Sequence, residues 1–546
     1  MGGKVERNEA LCNCAQRGAI IKVELELPMS SYSVLMPFPS EHKSFSICTR
    51  DPTKIAPYLK EPPPMATPQL AEFKLNPKDW ISATLKTLSS CARGPEPESA
   101  PPVARFQLND AQGLILRHTG AIEELFLARE IKKTYFPWGQ ALKWSDQIPL
   151  ITSVGQRVRP LASPQVQMQR IAASRFYERW TRWVIEDMRS YAEQGLGLFE
   201  FFRATSLSLL ARTLCADLEG EAIIPVADAL ERLDLAAGRI MFSGKGNRPA
   251  WFPGSDHKLA TTAMHDLEAV VRPLVRKRIG GVVEEDDLMT TWVNTEGEDG
   301  KLATEDHVIS ESISLLVMAY TALPKVLFGA ACEVSAPRQD ELQATLNKEF
   351  RAAVGAMQQS PSEAGPTVSL RNESARKTIP HHCLVVTEAE RLYPPAWLVM
   401  IGANSPGKIG PIEVKEGEQV WVSPWALHRE PRRFKDAERF WPRRWAGQLE
   451  AQLPQYAFAP YGFEGRARLS ESYCQELSAR ILLVWFAQYK AHVSDEGASP
   501  KDWSLSLCLK PTHAVSWGAK NAPAGEKPTP TQKGPVWSQA TPAPTK

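Results

Sequence analysis

The chain has 546 residues, of which 43% are hydrophobic and 23% are charged, a composition typical of a globular protein with a large buried core. The formal net charge is only +2, so the chain as a whole gives no reason to expect nucleic acid as a partner. The nine cysteines are scattered and odd in number, which favours free thiols in a reducing compartment over a disulfide framework or a zinc site.

The first hundred residues carry proline-rich stretches and no clear periodicity, so residues 1–104 are predicted to form an irregular N-terminal segment. No apolar run follows Lys4, which argues against a signal peptide or an N-terminal membrane anchor. The most apolar stretch, Ile313–Ala331, is interrupted by Pro324 and Lys325 and is short for a membrane span. We therefore expect a soluble, cytoplasmic protein.

Beyond residue 104 the hydrophobic periodicity is mostly helical. It predicts helices over Ala121–Glu130, Gln165–Ala192, Leu196–Cys215, Ala222–Ile240, Lys258–Ile279, Asp306–Ala331, Gln339–Met357 and Glu471–Lys490. Short β patterns occur only late, at Pro411–Val414 and Gln419–Val422. The tail 518–546 is rich in Pro, Thr and Lys and is predicted to be disordered. The pattern predicts one mainly α domain over 105–517 with a small β portion.

Three landmarks follow one another in the last third of the chain. Glu388 and Arg391 lie three residues apart on a predicted helix, where they can form an ion pair, and a Pro-Pro turn follows at 394–395. The second landmark is the arginine-rich segment Ser423–Trp445. The third is Phe458–Gly462, a short loop that contains Pro, Tyr and Gly.

In this order and at this separation the landmarks resemble those of the cytochrome P-450 family. The family has a Glu-x-x-Arg helix with a Pro-Pro turn, then a segment that ends in Arg, then the loop of its haem ligand. The resemblance implies a cytochrome P-450-like fold, mainly α with a small β portion. It also implies that Arg444 joins Glu388 and Arg391 in a buried structural network.

The same resemblance exposes a departure in the ligand loop. The family places its haem-ligating Cys where this chain has Arg468, whereas Arg466 keeps the family's arginine. Glu464 and Ser470 replace two glycines of the pattern. A guanidinium stays protonated and has no lone pair to offer iron. Cys474 falls where the family has a helix facing the back of the cofactor, and packing is its preferred interpretation. We therefore predict that the chain carries no cofactor, haem included.

Two further departures concern oxygen chemistry. The best placement of the family's oxygen-activating segment puts Tyr320 in the position of its acid and keeps the alcohol as Thr321, which breaks the acid–alcohol proton relay. The alternative, that both are ordinary residues of a buried helix, stays open. No cation follows the Pro-Pro turn before Lys408, so the partner of a haem propionate is missing. These losses predict that no reductase is needed.

The resemblance, with these departures, predicts a haem-independent enzyme on a cytochrome P-450-like fold. Its reaction would be a non-redox cyclisation, such as an intramolecular Diels–Alder-type cycloaddition, or an isomerisation in secondary metabolism. Its partner would be a small hydrophobic terpenoid or polyketide, with Arg468, Arg466, Tyr320 and Thr321 as hydrogen-bond donors. Two alternatives remain: a non-catalytic binding or scaffold protein, and an atypical haem-dependent monooxygenase.

Overall fold

The structure is a computed structural model. It describes residues 71–74, 103–108, 111–116, 118–135, 176–242, 254–281, 287–294, 296, 302–358, 378–447, 449–463, 465–493, 503–504, 510–511 and 515–520. At some positions within helices and strands, among them 465–473, only the backbone is described. The predicted irregular segment 1–104 and the predicted tail 518–546 lie largely outside these residues.

The described residues are mostly helical, and the predicted fold class is confirmed. The helices are α1 (Thr119–Leu127), α2 (Phe176–Glu193), α3 (Leu198–Leu214), α4 (Ile224–Phe242), α5 (Ser255–Ile279), α6 (Leu288–Val293), α7 (Glu305–Ser335), α8 (Asp340–Gln358), α9 (Pro380–Leu392), α10 (Pro424–Leu427), α11 (Leu449–Gln452) and α12 (Gly465–Gln488). Short 3₁₀ turns occupy Gly220–Ile223, Pro337–Gln339 and Pro442–Gly447.

The strands are β1 (Ala71–Lys74), β2 (Val103–Leu108), β3 (Ala111–Leu116), β4 (Lys133–Tyr135), β5 (Val399–Ala403), β6 (Gly407–Ile409), β7 (Ile412–Val414), β8 (Gln419–Val422), β9 (Tyr489–Ala491), β10 (Trp503–Ser504), β11 (Lys510–Pro511) and β12 (Trp517–Ala519). Six of them form one mixed sheet in the order β1-β2-β3-β8-β5-β4. Three two-stranded sheets pair β6 with β7, β9 with β12, and β10 with β11.

The main sheet differs from the sequence prediction, which placed β structure only near the C-terminal third. Strands β1 to β4 come from residues 71–135, and β3 runs parallel to β8 with Leu114 opposite Val420. Both of these side chains are fully buried, as is Ile401 on β5. Apolar residues far apart in sequence therefore meet in one small core, and burial of that surface stabilises the pairing.

The long helix α7 runs through the main hydrophobic core. In the described part of the chain it is the one helix long and apolar enough to cross a membrane, but 89% of its most apolar window is buried inside the protein. That burial is typical of a core helix. Pro324 lies within it, and the hydroxyl of Ser312 donates to the carbonyl of Val308 one turn earlier. The Ser312 hydroxyl is thus satisfied locally by the helix backbone.

The C-terminal end of α9 packs closely against α7. A Cβ atom at Gly329 would overlap the ring of Tyr393, so only glycine lets this ring lie on the helix. The Tyr393 hydroxyl donates to the Glu333 carboxylate at 2.7 Å. Buried Lys325 donates from Nζ to the carbonyl of Pro394 at 2.8 Å. These contacts fix the helix that carries Tyr320 against the helix that carries Glu388.

Candidate functional site

A buried carboxylate organises the framework of the site. Both oxygens of Glu388 are occupied: Arg391 donates two hydrogen bonds at 2.8 and 2.9 Å, and Arg444 donates one at 3.0 Å. The backbone N–H of Trp441 and the indole of Trp445 each add one at 2.8 Å. Glu388 and Arg391 are completely buried. Three of these five hydrogen bonds, from Trp441, Arg444 and Trp445, therefore join α9 to the arginine-rich segment, and the two from Arg391 lie within α9.

His428 links this network to the loop that follows. The backbone N–H of Ala459 donates to His428 Nε2 at 2.9 Å, so the other ring nitrogen, Nδ1, carries the proton and donates to the carbonyl of Arg391 at 3.2 Å. Burial, aided by the nearby Arg391 cation, lowers the pKa of His428 to about 3. The imidazole is therefore neutral at physiological pH and serves as a fixed connector.

The loop corresponding to the family's ligand loop contains a half-buried tyrosine that bonds to a buried carboxylate. Gly462 has a φ of 96°, a conformation that favours glycine. Tyr461 donates from its hydroxyl to Glu390 at 2.8 Å, and Gln475 of α12 donates to the same carboxylate at 2.8 Å. Burial raises the pKa of Tyr461 well above its ordinary value. Its phenol therefore remains a proton donor that ties the loop to α9.

Helix α12 begins at Gly465, earlier than the predicted helix start at Glu471. Arg466 and Arg468 consequently lie in its first turn, while their side chains and all of Glu464 lie outside the described residues. Further along α12, Cys474 is fully buried with its Sγ 3.3 Å from the Sδ of Met318 on α7. The expected packing role of Cys474 is thus consistent with its place against the long helix.

Tyr320 and Thr321 are consecutive and both buried on α7. The Thr321 hydroxyl donates to the carbonyl of Val317 at 2.7 Å, so its proton is used within the helix. The Tyr320 hydroxyl has no hydrogen-bond partner among the described residues. Its ring lies under the guanidinium of Arg203 on α3, with 4.4 Å between Cζ and the ring centroid. Of the two candidate donors on α7, Thr321 is therefore already hydrogen-bonded, whereas Tyr320 has no partner among the described residues.

Sequence reasoning overlooked Arg203, although a signal for it existed. Arg203 lies inside α3, a helix whose side chains are buried on nearly every side, and its own exposure is only 2%. Such a charge needs a partner, and here Glu200 provides one at 2.7 Å. A cation in an all-round apolar helix therefore marks a position where something specific is bound or paired.

The family to which this architecture belongs can now be stated. Residues 101–467 match the family model described as "Cytochrome P450", which is more than half of the chain. The chain belongs to the cytochrome P-450 family. The matched region ends at Ala467, immediately before Arg468.

Among its relatives, the chain is similar to cyclooctat-9-en-7-ol 5-monooxygenase of Streptomyces melanosporofaciens, with 26% identity over 203 residues, 36% of this chain and 40% of that protein. It is also similar to pentalenene oxygenase of Streptomyces avermitilis, with 22% identity over 256 residues, 46% of this chain and 54% of that protein. A third relative, cyclooctatin synthase of Streptomyces melanosporofaciens, is 32% identical over 78 residues, 14% of this chain and 17% of that protein. The chain thus spans about half or less of the length of each of these three relatives.

These comparisons correct the prediction about the cofactor. Family membership and relatives named as monooxygenases point to haem, so the prediction of no cofactor is wrong. The prediction failed because it relied chiefly on the residue at the position of the haem ligand. A haem is also held by burial of its macrocycle and by polar contacts at its edge, and the loss of a ligand does not remove those. The predicted absence of a reductase likewise has no support from the comparisons.

The residues of this chain nevertheless do not fit a thiolate-bound haem in the family's position. Arg468 cannot replace the thiolate ligand. Cys474, six residues beyond Arg468, contacts Met318 of α7 at 3.3 Å, so its sulfur packs against the long helix.

Proposed function

We propose that this chain is a natural-product enzyme that binds a hydrophobic terpenoid or polyketide intermediate and closes a ring in it, or isomerises it, without net oxidation. The cytochrome P-450-like domain over residues 105–517 is part of this proposal. The relatives named for cyclooctat-9-en-7-ol and pentalenene support a terpenoid as the class of substrate.

The observation that carries the proposal is the state of the two neighbouring residues on α7. Oxygen activation in the family uses an acid beside an alcohol, whereas this chain has Tyr320 in the acid's place. The Thr321 hydroxyl already donates to Val317. Burial raises the pKa of Tyr320 well above its ordinary value, so at neutral pH the phenol is a donor and not a base. The pair is suited to donating a hydrogen bond and unsuited to relaying protons.

In the proposed reaction the protein contributes positioning and one polar contact. Holding a flexible polyene in a folded, near-reactive conformation lowers the entropic part of the barrier to ring closure. A hydrogen bond from Tyr320 to a carbonyl on the substrate stabilises the negative charge that develops there during bond formation. Arg466 and Arg468 remain proposed donors at the start of α12. No atom is gained or lost, so substrate and product have the same mass.

A second candidate is oxygenation, and the names of the relatives favour it. The two reactions differ in the mass of the product and in what they consume. Oxygenation adds one oxygen atom and needs reductant and O₂, whereas ring closure needs neither.

The decisive experiment incubates the purified full-length protein with a panel of linear terpenoid and polyketide polyenes that carry a carbonyl group. One arm is anaerobic without reductant, and the other contains O₂, NADPH and a reductase. A new product of unchanged mass in the anaerobic arm is expected. Tyr320→Phe should slow its formation at least tenfold, because removal of one such donor costs about 10²–10³ in rate where it is essential.

Each other outcome rejects the proposal in a different way. An oxygenated product that requires reductant and O₂ would establish the monooxygenase. Saturable binding of the panel without any product would leave a binding or scaffold protein. Tyr320→Phe with an unchanged rate would remove Tyr320 from the mechanism.

A further inference from the structure

A cluster of buried polar side chains lies where α3, α4 and α7 meet. Its centre is the pair formed by Arg203 and the ring of Tyr320, 4.4 Å apart. Arg203 also contacts Glu200 at 2.7 Å and Glu231 of α4 at 3.8 Å. Asp234, one turn along α4 and only 8% exposed, adds a third nearby carboxylate that acts on both members of the pair.

Two polar atoms at the centre of this cluster lack hydrogen bonds to the described residues. They are the hydroxyl of Tyr320 and the Nε–H of Arg203, and both are buried. Tyr320 is 1% exposed and Arg203 is 2% exposed. Buried donors are nearly always satisfied in folded proteins, since leaving one unpaired is costly. Two such donors in one cluster call for an acceptor oxygen that the described residues do not supply.

The charges around the pair restrict what that oxygen can belong to. Arg203 contributes one positive charge, and Glu200, Glu231 and Asp234 contribute three carboxylates. A ligand carboxylate or phosphate would face this excess of negative charge at short range and be repelled. A ligand cation would compete with Arg203 for the same carboxylates. A neutral oxygen, in a hydroxyl or a carbonyl group, accepts from both donors without either penalty.

We propose that Tyr320 and Arg203 form a binding site for a neutral hydroxyl or carbonyl oxygen of the substrate, so that the protein selects an oxygenated terpenoid over its parent hydrocarbon. This inference rests on the proposed function, because it assumes that the substrate is a terpenoid. It also places the enzyme after a reaction that installs oxygen on the hydrocarbon, either a hydroxylation or the capture of water.

The test compares two probes that differ in one oxygen, farnesol and farnesene. Binding to the full-length protein is measured by quenching of intrinsic tryptophan fluorescence. Wild-type protein is expected to bind farnesol about tenfold more tightly than farnesene, the gain of about one buried hydrogen bond. Tyr320→Phe removes only the unpartnered hydroxyl. It should abolish that preference by weakening farnesol about tenfold while leaving farnesene unchanged.

Tyr393→Phe is the matched control, because it removes a buried tyrosine hydroxyl that is already bonded to Glu333. It should lower the melting temperature and leave the preference for farnesol intact. Tyr320→Phe should leave the melting temperature of the ligand-free protein unchanged or raise it. A melting temperature lowered as much as in Tyr393→Phe would show that the Tyr320 hydroxyl has a structural partner such as ordered water, and would overturn the proposal.

The remaining outcomes separate this inference from the proposed function. Equal binding of farnesol and farnesene, unaffected by Tyr320→Phe, would overturn the oxygen site while keeping a terpenoid-binding protein. Failure of wild-type protein to bind either probe would overturn this inference and the terpenoid form of the proposed function, whose polyketide form is tested by the product assay.

Discussion

Glu388→Gln is expected to destabilise the protein strongly, because it removes one charge from a fully buried network. The amide keeps the size of the side chain but loses the negative charge, and its NH₂ group faces groups that are themselves donors. Arg391 and Arg444, with side-chain exposures of 0% and 4%, are left without their carboxylate. Removing one partner of a buried ion pair typically costs about 3–5 kcal/mol. The five hydrogen bonds to Glu388 put this variant in the upper part of that range.

Such a loss is large relative to the whole stability of a folded domain, about 5–15 kcal/mol. Urea unfolding followed by tryptophan fluorescence measures it as a lower midpoint. Glu341→Gln is the matched control, because Glu341 pairs with Arg443 at the surface with side-chain exposures of 80% and 63%. That variant is expected to lose less than about 1 kcal/mol. Equal midpoints for the two variants would refute the claim that Glu388 stabilises the framework.

Three further predictions test other parts of the structure. Gly329→Ala on α7 should cost about 1–3 kcal/mol in unfolding free energy, since its methyl group overlaps the ring of Tyr393 at the end of α9, whereas Gly120→Ala on α1 meets open space and should be neutral or stabilising. His428→Gln should flatten the decline in unfolding free energy between about pH 6.5 and about pH 3, where the unfolded wild type takes up a proton that the folded state excludes, at up to about 1.4 kcal/mol per pH unit; an equal decline in variant and wild type would contradict the lowered pKa of His428. Arg468→Cys, reconstituted with haem, should acquire the ferrous–CO spectrum of a thiolate-bound iron, and wild-type protein should not; identical spectra would refute the role assigned to position 468.

Local features were the most predictable from the sequence. The long apolar run of α7 and the 3.6-residue periodicity of α8 are carried by neighbours along the chain, so no knowledge of the fold is needed to see them. The order of the landmarks around Glu388 and Gly462 is also a property of the sequence alone. For these reasons the fold class and most of the helices follow from the residues, although the start of α12 at Gly465 does not.

Contacts between distant segments could not be predicted in the same way. The pairing of β3 with β8 joins residues about three hundred positions apart, and the hydrophobic pattern does not specify the partner of a short strand. Similarly, Glu349 of α8 accepts hydrogen bonds from the backbone N–H groups and the rings of both His381 and His382 at the start of α9. The carboxylate that satisfies this histidine pair lies 32 residues away, so nothing near the pair indicates it.

The replacement of the family's ligand cysteine by Arg468 excludes less than the sequence analysis inferred. A guanidinium excludes thiolate ligation at that position, and this follows from its chemistry alone. It does not exclude the cofactor, because the fold that would surround a haem is built by other residues. The buried network around Glu388 is complete here, and the glycine turn at Gly462 still leads into α12. What Arg468 changes is the electronic character of any iron bound there, since a strongly donating thiolate is what favours cleavage of the O–O bond. The absence of that donor at position 468 therefore supports the proposed ring closure or isomerisation, in which the protein contributes shape and hydrogen bonding, and Tyr320 in place of the family's acid supports the same proposal.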